Sequence, residues 1–218
     1  MATATQSTTD SRTRLLDAAL YVIRAKGYSA ARIEDFCEVA GLTKGSFFHH
    51  FSSKEEFALA AAEHFSAFAD SVFSAAPYHS HSDPLDRLLG YVDFRKAILQ
   101  GDLPEFTCLL GTMVQETYET HPAIRQVCDR CIASHAATLV VDIEAAMARY
   151  GVQADWSAAS LAYYTQAVIQ GSFILAKAQR SAEVAVACLD HLRHYIELLF
   201  TCRQSSESPL HQKPAQFV

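Results

Sequence analysis

Two short apolar-striped runs, IEDFCEVA (Ile33 to Ala40) and KGSFFHHF (Lys44 to Phe51), are separated only by Gly41, Leu42 and Thr43, and that punctuation constrains the fold more than any other feature. A glycine suits the left-handed turn past a helix end, and a threonine before the next run can cap it. Ile33, Phe36, Cys37 and Ala40 share one face of the first run. Cys37 is small enough for two helices to cross there, while Phe36, Ala40, Leu42 and Phe47 supply an apolar lock. These are the requirements of a helix-turn-helix, whose second helix lies in the major groove with its N-terminal residues toward base edges. Thr43 and Ser46 would offer hydroxyls there and Lys44 a cation, and the first backbone N–H groups of the helix favour a phosphate.

Elsewhere apolar residues recur at three- and four-residue spacing with few strict alternations, and only 8 Gly and 6 Pro interrupt them, so the class is all-α. A first helix, RTRLLDAALYVIRAK, follows a cap at Thr9 or Asp10 and stops at Gly27, a residue suited to the left-handed position. Ser52 or Ser53 caps a fourth helix that runs to the break at Pro77. The polar stretch YHSHSD before Pro84 reads as the boundary between head and body. Five further helices are expected: from Pro84 to Gln100, Leu103 to Glu119, Pro122 to Gly151, Asp155 to Gln179 and Ser181 to Cys202, making about nine. The expected organisation is a disordered arm at 1–9, a three-helix helix-turn-helix domain at 10–56, a helical effector-binding and dimerisation body at 57–203 and a loose tail at 204–218.

The formal charge of −6 argues against indiscriminate coating of nucleic acid, but the charge is uneven. Residues 1–54 carry seven Lys/Arg against five acids, and the remainder eleven against nineteen, a slightly basic head on an acidic body. Cys37, Cys108, Cys128, Cys131, Cys188 and Cys202 read as thiols rather than a disulfide framework, given no secretion signal. A cytoplasmic protein without membrane spans is expected. No phosphate-binding glycine loop, G-x-S-x-G or H-E-x-x-H occurs, so neither an enzyme nor a cofactor is expected.

From Gly27 to Phe57 the segment GYSAARIEDFCEVAGLTKGSFFHHFSSKEEF resembles the N-terminal signature of the TetR family of bacterial transcriptional repressors. About a dozen positions agree in order and spacing, over roughly fifty residues. The resemblance implies phosphate contacts at Thr43, Phe48, His49 and Lys54, and base contacts around Lys44, Gly45 and Ser46. Three positions depart from the pattern. Ala31 replaces a capping Thr, for which Arg32 can substitute as a phosphate ligand. Phe48 stands where a Tyr usually donates a hydroxyl, and Cys37 replaces Ala. His49 and His50 point about 100° apart on a helix and cannot share a metal. One reads as facing phosphate and the other as packed on a neighbouring helix.

A helix-turn-helix gains specificity by pairing recognition helices about 34–36 Å apart. The last two helices are apolar on two faces, so one face is expected to pack on the body and the other on a second copy, giving a homodimer on palindromic operator DNA. Tyr91, Phe94, Phe106, Cys108, Met113, Tyr118, Trp156, Tyr163, Tyr164 and Phe173 form a set suited to an apolar effector pocket. The segments FTCLLGTMVQE and QGSFILAKAQR resemble the electrophile-sensing, NemR-like branch of the family, which implies Cys108 as a sensing thiol and Lys177 as its charge partner. In such proteins, effector entry shifts the helix joining body to head. Cys128, Cys131 and His135 share one helix face, but a zinc site needs a fourth donor, and no metal is expected. Neither is one expected at His79 and His81. The competing reading is an all-α dimeric adaptor without DNA affinity. Operator sequence, regulated genes, effector identity and the sign of regulation are not legible in the residues.

Overall fold

The computed structural model describes residues 10–201; the N-terminal arm, the C-terminal tail and Cys202 lie outside the described residues. Among the described residues there are ten α-helices and no strand. The first four are α1 (Ser11–Lys26), α2 (Ile33–Ala40), α3 (Lys44–His50) and α4 (Lys54–Ser74). A 3-10 turn at Pro77–Ser80 leads into α5 (Pro84–Ala97), α6 (Leu103–Phe106) and α7 (Leu109–Thr117). The long α8 (Pro122–Tyr150), α9 (Ala158–Gln179) and α10 (Glu183–Thr201) complete the body.

Local chemistry accounts for most of these bounds. Thr43 Oγ1 accepts from Ser46 N–H at 3.2 Å, and Ser53 Oγ from Glu56 N–H at 3.0 Å, so α3 and α4 each start on a side-chain cap. Gly41 adopts φ 62°, ψ 40°, the left-handed conformation expected between α2 and α3. Gly27 differs: its φ is 85° but its ψ is 161°, outside the left-handed helical well. Glycine is needed there for positive φ and also because a Cβ would stand 2.2 Å from Glu116 Oε1, whose partner oxygen accepts from Ser29 N–H.

One expectation is corrected. The run Leu103 to Glu119 is not one helix. It breaks at Thr107 and Cys108, both extended, and α7 restarts with Cys108 as its cap, Sγ accepting from Gly111 N–H at 3.4 Å. Pro104 supports the short α6 in its first turn, which is where proline fits a helix. The polar stretch after Pro77 begins as a 3-10 turn, with Tyr78 buried within it.

The buried residues form two apolar cores. One joins α1–α3 and the first half of α4 to Leu109, Leu110 and Met113 of α7 and to Ile124, Val127, Cys128 and Cys131 of α8. The other fills the body from Phe73 to Phe200. Packing therefore crosses position 56, and α4 contributes to both cores. By length and apolar content α8 matches a membrane span among the described helices. Here it packs against α4, α5, α7 and α9, and its Asp142 is ion-paired with Arg87 at 2.7 Å.

Candidate nucleic-acid interface and effector cavity

The geometry of the head follows from Phe47. Its ring is fully buried and meets Phe51 at 5.6 Å and Phe57 at 5.0 Å, so the opposite side of α3 must face outward. Lys44, Gly45, Phe48 and His49 are exposed there, and Ser46 is half-buried beside them. A Cβ on Gly45 would touch, among the described residues, only Thr43 Oγ1, at an ordinary 3.6 Å, so none of them asks for glycine at that position. Phe48 is 55% exposed, an uncommon position for a phenyl ring and one without a hydroxyl to offer phosphate. His50 Nε2 lies 2.6 Å from Ser11 Oγ of α1, while His49 faces out. The two histidines thus divide as their spacing on the helix requires.

The cations differ in how far they are committed. Asp35, buried at the start of α2, accepts from Arg32 N–H at 2.8 Å and from Lys26 Nζ at 3.0 Å, and those bonds hold its carboxyl below the usual range. The Arg32 guanidinium stays at the surface, 3.7 Å from the same carboxylate. Lys44 pairs with Glu34 across the surface, an exposed contact that solvent screens. Lys54 turns inward: Nζ donates to Ser29 O at 3.3 Å and sits 4.5 Å from the Tyr28 ring centroid, and burial pushes its ammonium below the ordinary value. In this state it braces α4 against the loop after α1. Arg14, not singled out in sequence, donates to the Ala40 carbonyl at the end of α2. Its pattern is that of any exposed arginine on a helix, so no sequence signal marked it.

Below the head, the second half of α4 walls a cavity of about 260 Å³. Phe65, Phe68, Phe73, Phe106 and Phe173 line it together with Cys108, Cys131, Gln166, Gln170 and the charged or titratable Arg24, Arg95, Glu105, Asp70 and His135. Of the aromatic and sulfur residues picked out in sequence, Phe106, Cys108 and Phe173 meet here. Tyr91 and Phe94 stand behind Phe73, at centroid distances of 5.6 and 5.5 Å. Met113 is buried in the core nearest the head, and Trp156 packs on Phe200 at 6.2 Å. Tyr163 and Tyr164 are exposed on the outer side of α9. The cavity-lining phenylalanines of α4 escaped notice because their spacing is equally that of a plain core stripe.

Cys108 borders this cavity and a second one of about 210 Å³ lined by Thr112, Gln115, Glu116, Gln170, Ile174 and Lys177. Lys177 Nζ donates to Thr112 Oγ1 at 2.9 Å, one turn beyond Cys108; burial lowers its ammonium, with proximity to Cys108 partly opposing. Arg24 reaches across from α1 and donates to the carbonyls of Glu105 at 2.9 Å and Thr107 at 3.1 Å. Burial draws its guanidinium down to about 10.

Cys131 and His135 both border the first cavity, but Cys128 does not line it. Cys128 is buried in the core nearest the head, where burial pushes its thiol up to about 12. His135 belongs to a separate network: Arg95 Nη2 donates to its Nε2 at 2.8 Å and Tyr91 Oη lies 3.0 Å away. Burial first, and Arg95 second, push the imidazole down to about 3, so it is neutral. His79 hydrogen-bonds the Phe73 carbonyl, and His81 is exposed.

Comparison with known proteins agrees with this layout. Residues 15–61 match the model for bacterial regulatory proteins of the tetR family. Residues 84–190 match that of the LmrA/YxaF-like transcriptional regulator C-terminal domain. The chain is 28% identical over 102 residues to the transcriptional regulator AcuR of Cereibacter sphaeroides, 47% of each chain. It is 27% identical over 114 residues to the HTH-type transcriptional repressor DhaR of a Mycobacterium species, 52% of this chain and 56% of that one. The matches thus span about half the length of these curated relatives. The reduced form of NemR from E. coli has the same fold, with a TM-score of 0.70 at 23% identity over 85% of this chain and 96% of that one. A TetR-family regulator from Agrobacterium tumefaciens superposes with a TM-score of 0.75 at 19% identity over the same shares. With one family model on the helix-turn-helix, another on the body and the shared fold across both, the chain belongs to the TetR family of bacterial regulatory proteins.

Proposed function

We propose that the protein is a cytoplasmic repressor that grips a palindromic operator as a homodimer, and that it lets go when a small apolar ligand fills the cavity beside α4 or when Cys108 is modified. The observation that carries this reading is the double membership of α4. Phe57, Ala58, Ala61 and Ala62 are fixed in the head's core, while Phe65, Phe68 and Phe73 of the same rod wall the cavity. Close-packed cores switch between arrangements rather than deform smoothly, so a ligand that displaces the lower half of α4 moves the recognition helix with it. The second tie is Arg24, which holds α1 to the carbonyls just before Cys108. A sulfenic acid or adduct on that thiol adds polar bulk at this junction. Lys177 lines the second cavity, which Cys108 also borders.

For the dimer, Tyr163, Tyr164, Ile174 and Leu175 of α9 and Tyr195 and Leu198 of α10 are all exposed, and Tyr164 and Tyr195 meet at 5.2 Å. Residues eleven apart on a helix return to nearly the same direction, so the α9 residues form one stripe. Such a face suits a second α9–α10 pair in a two-fold four-helix contact.

The test is fluorescence anisotropy on the DNA upstream of the protein's own gene at two salt concentrations. Specific binding that weakens steeply with salt is expected; a folded dimer without binding at low salt would leave an adaptor. In the same assay Cys108→Ser should resist release by electrophiles or hypochlorite. Release at the wild-type rate would remove the thiol arm and leave the ligand arm standing.

A further inference from the structure

Arg95 is a cation on the wall of an apolar cavity, and among the described residues it has no carboxylate within ion-pair distance. Its Nε donates to Tyr91 Oη at 3.0 Å and its Nη2 to His135 Nε2 at 2.8 Å. The His135 acceptor is neutral, since burial holds the imidazole unprotonated. Phe73 supports the guanidinium from behind, with the central carbon 4.2 Å from the ring centroid. Gln166, buried, donates to the same Tyr91 oxygen at 3.0 Å and so fixes the phenol under the arginine. A guanidinium has five N–H donors, and two are used; three remain for whatever enters the cavity. The two acids that line the cavity, Asp70 and Glu105, are exposed, and Glu105 Oε2 is engaged by Asp102 N–H at 2.7 Å.

We infer that the cavity takes a small aryl carboxylate, its carboxylate on Arg95 and its ring among Phe65, Phe68, Phe106 and Phe173. This rests on the reading of the cavity as the effector site, and it narrows the apolar ligand proposed above to one with an anionic end. A neutral apolar ligand would seal the guanidinium from water and leave its donors without acceptors, which is costly for a charged group. A carboxylate supplies two acceptor oxygens in the planar, bidentate geometry that arginine favours. Size sets the rest. A cavity of about 150 Å³ holds one benzene, so the 260 Å³ here has room for about ten heavy atoms, the size of benzoate or cinnamate. Phenyl walls favour offset or edge-on contact with an aromatic ligand.

Calorimetric titration of the full chain with benzoate and cinnamate, against benzamide and cinnamamide of the same shape, tests the inference. Each acid should bind about tenfold to a hundredfold tighter than its amide, the range expected when a charge-assisted hydrogen bond is lost. Arg95→Gln should erase that preference while leaving the amides nearly unmoved. Amides that bind as well as the acids, or acids and amides that both fail to bind at millimolar concentration, would overturn it. The wild-type acid and amide pairs decide the matter even if Arg95→Gln does not fold. Operator release is read separately. Acids that bind selectively without releasing DNA would uphold the anion site and sink the effector reading. Amides that bind equally and release DNA would uphold the effector reading and sink this one.

Discussion

Around the recognition helix, Phe36, Phe47, Phe51 and Phe57 interlock at centroid distances of 4.9 to 5.6 Å, with Arg12 over the outer side of Phe51. Around Phe73, by contrast, Tyr91, Phe94 and His135 leave a cavity of about 260 Å³ and carry a buried hydrogen-bond network. One end of α4 sits in each. A closed core has no cheap rearrangement and so carries displacement as a rigid body, whereas an open one can accept a ligand without losing contacts it already makes. Stiffness thus lies around α3, and free volume lies beside the far end of α4.

The widest gap between the two regions should appear in stability. Phe47→Ala is expected to cost about 3–5 kcal/mol, as large-to-small changes in closed cores do. Phe68→Ala, on the exposed rim of the cavity, should cost well under about 1 kcal/mol. Urea denaturation of the two variants measures both; equal costs would break the contrast. Next comes pH. His135 titrates near 6.5 when unfolded and about 3 when folded, so the unfolded chain binds the extra proton in between. The stability it preserves is complete above pH 6.5 and declines as pH falls toward 3. At pH 4 the loss amounts to about 3 kcal/mol. His135→Gln should flatten that part of the thermal melting profile, and an unchanged profile would mean that this imidazole is not buried neutral.

Two smaller effects sharpen the view of the head. Gly45→Ala should raise stability by up to about 1 kcal/mol, since alanine is the better helix former and the added methyl meets nothing closely. Operator affinity should fall all the same, because glycine there leaves room for close approach of DNA. Stability and affinity that move together would contradict an outward-facing surface. Phe48→Tyr should tighten binding to all sequences by about 1 kcal/mol, the net worth of one hydrogen bond to phosphate. Anisotropy on specific and scrambled duplexes would show it, and a gain on one sequence alone would place residue 48 against a base.

The head was legible because its signals are local. Thr43, Ser53 and Gly41 fix helix ends through bonds to residues no more than four away, and Phe47 fixes the face of α3 by spacing alone. The body resisted for the opposite reason. Tyr163 and Tyr164 look like pocket aromatics until the packing of α9 turns them outward, and Met113 until α7 docks on the core nearest the head. The break at Cys108 was hidden because Leu103, Phe106, Leu109, Leu110 and Met113 keep three- and four-residue spacing across it, and no glycine or proline stands where the helix stops. Lys54 shows the same limit within the head. Its place in the signature was readable, but its bond to Ser29 O depends on where α4 meets the loop after α1.

By itself, then, the sequence determined the all-α class, the helix-turn-helix and the outward face of α3, since caps, turn glycines and apolar period act over a few residues. Tertiary structure alone decided that α4 belongs to two cores, that Arg95 has no acid partner among the described residues and that Cys108 stands between two cavities. Those features are relations between helices far apart in the chain. Apolar spacing says that a face is buried, and only the assembled helices say against what.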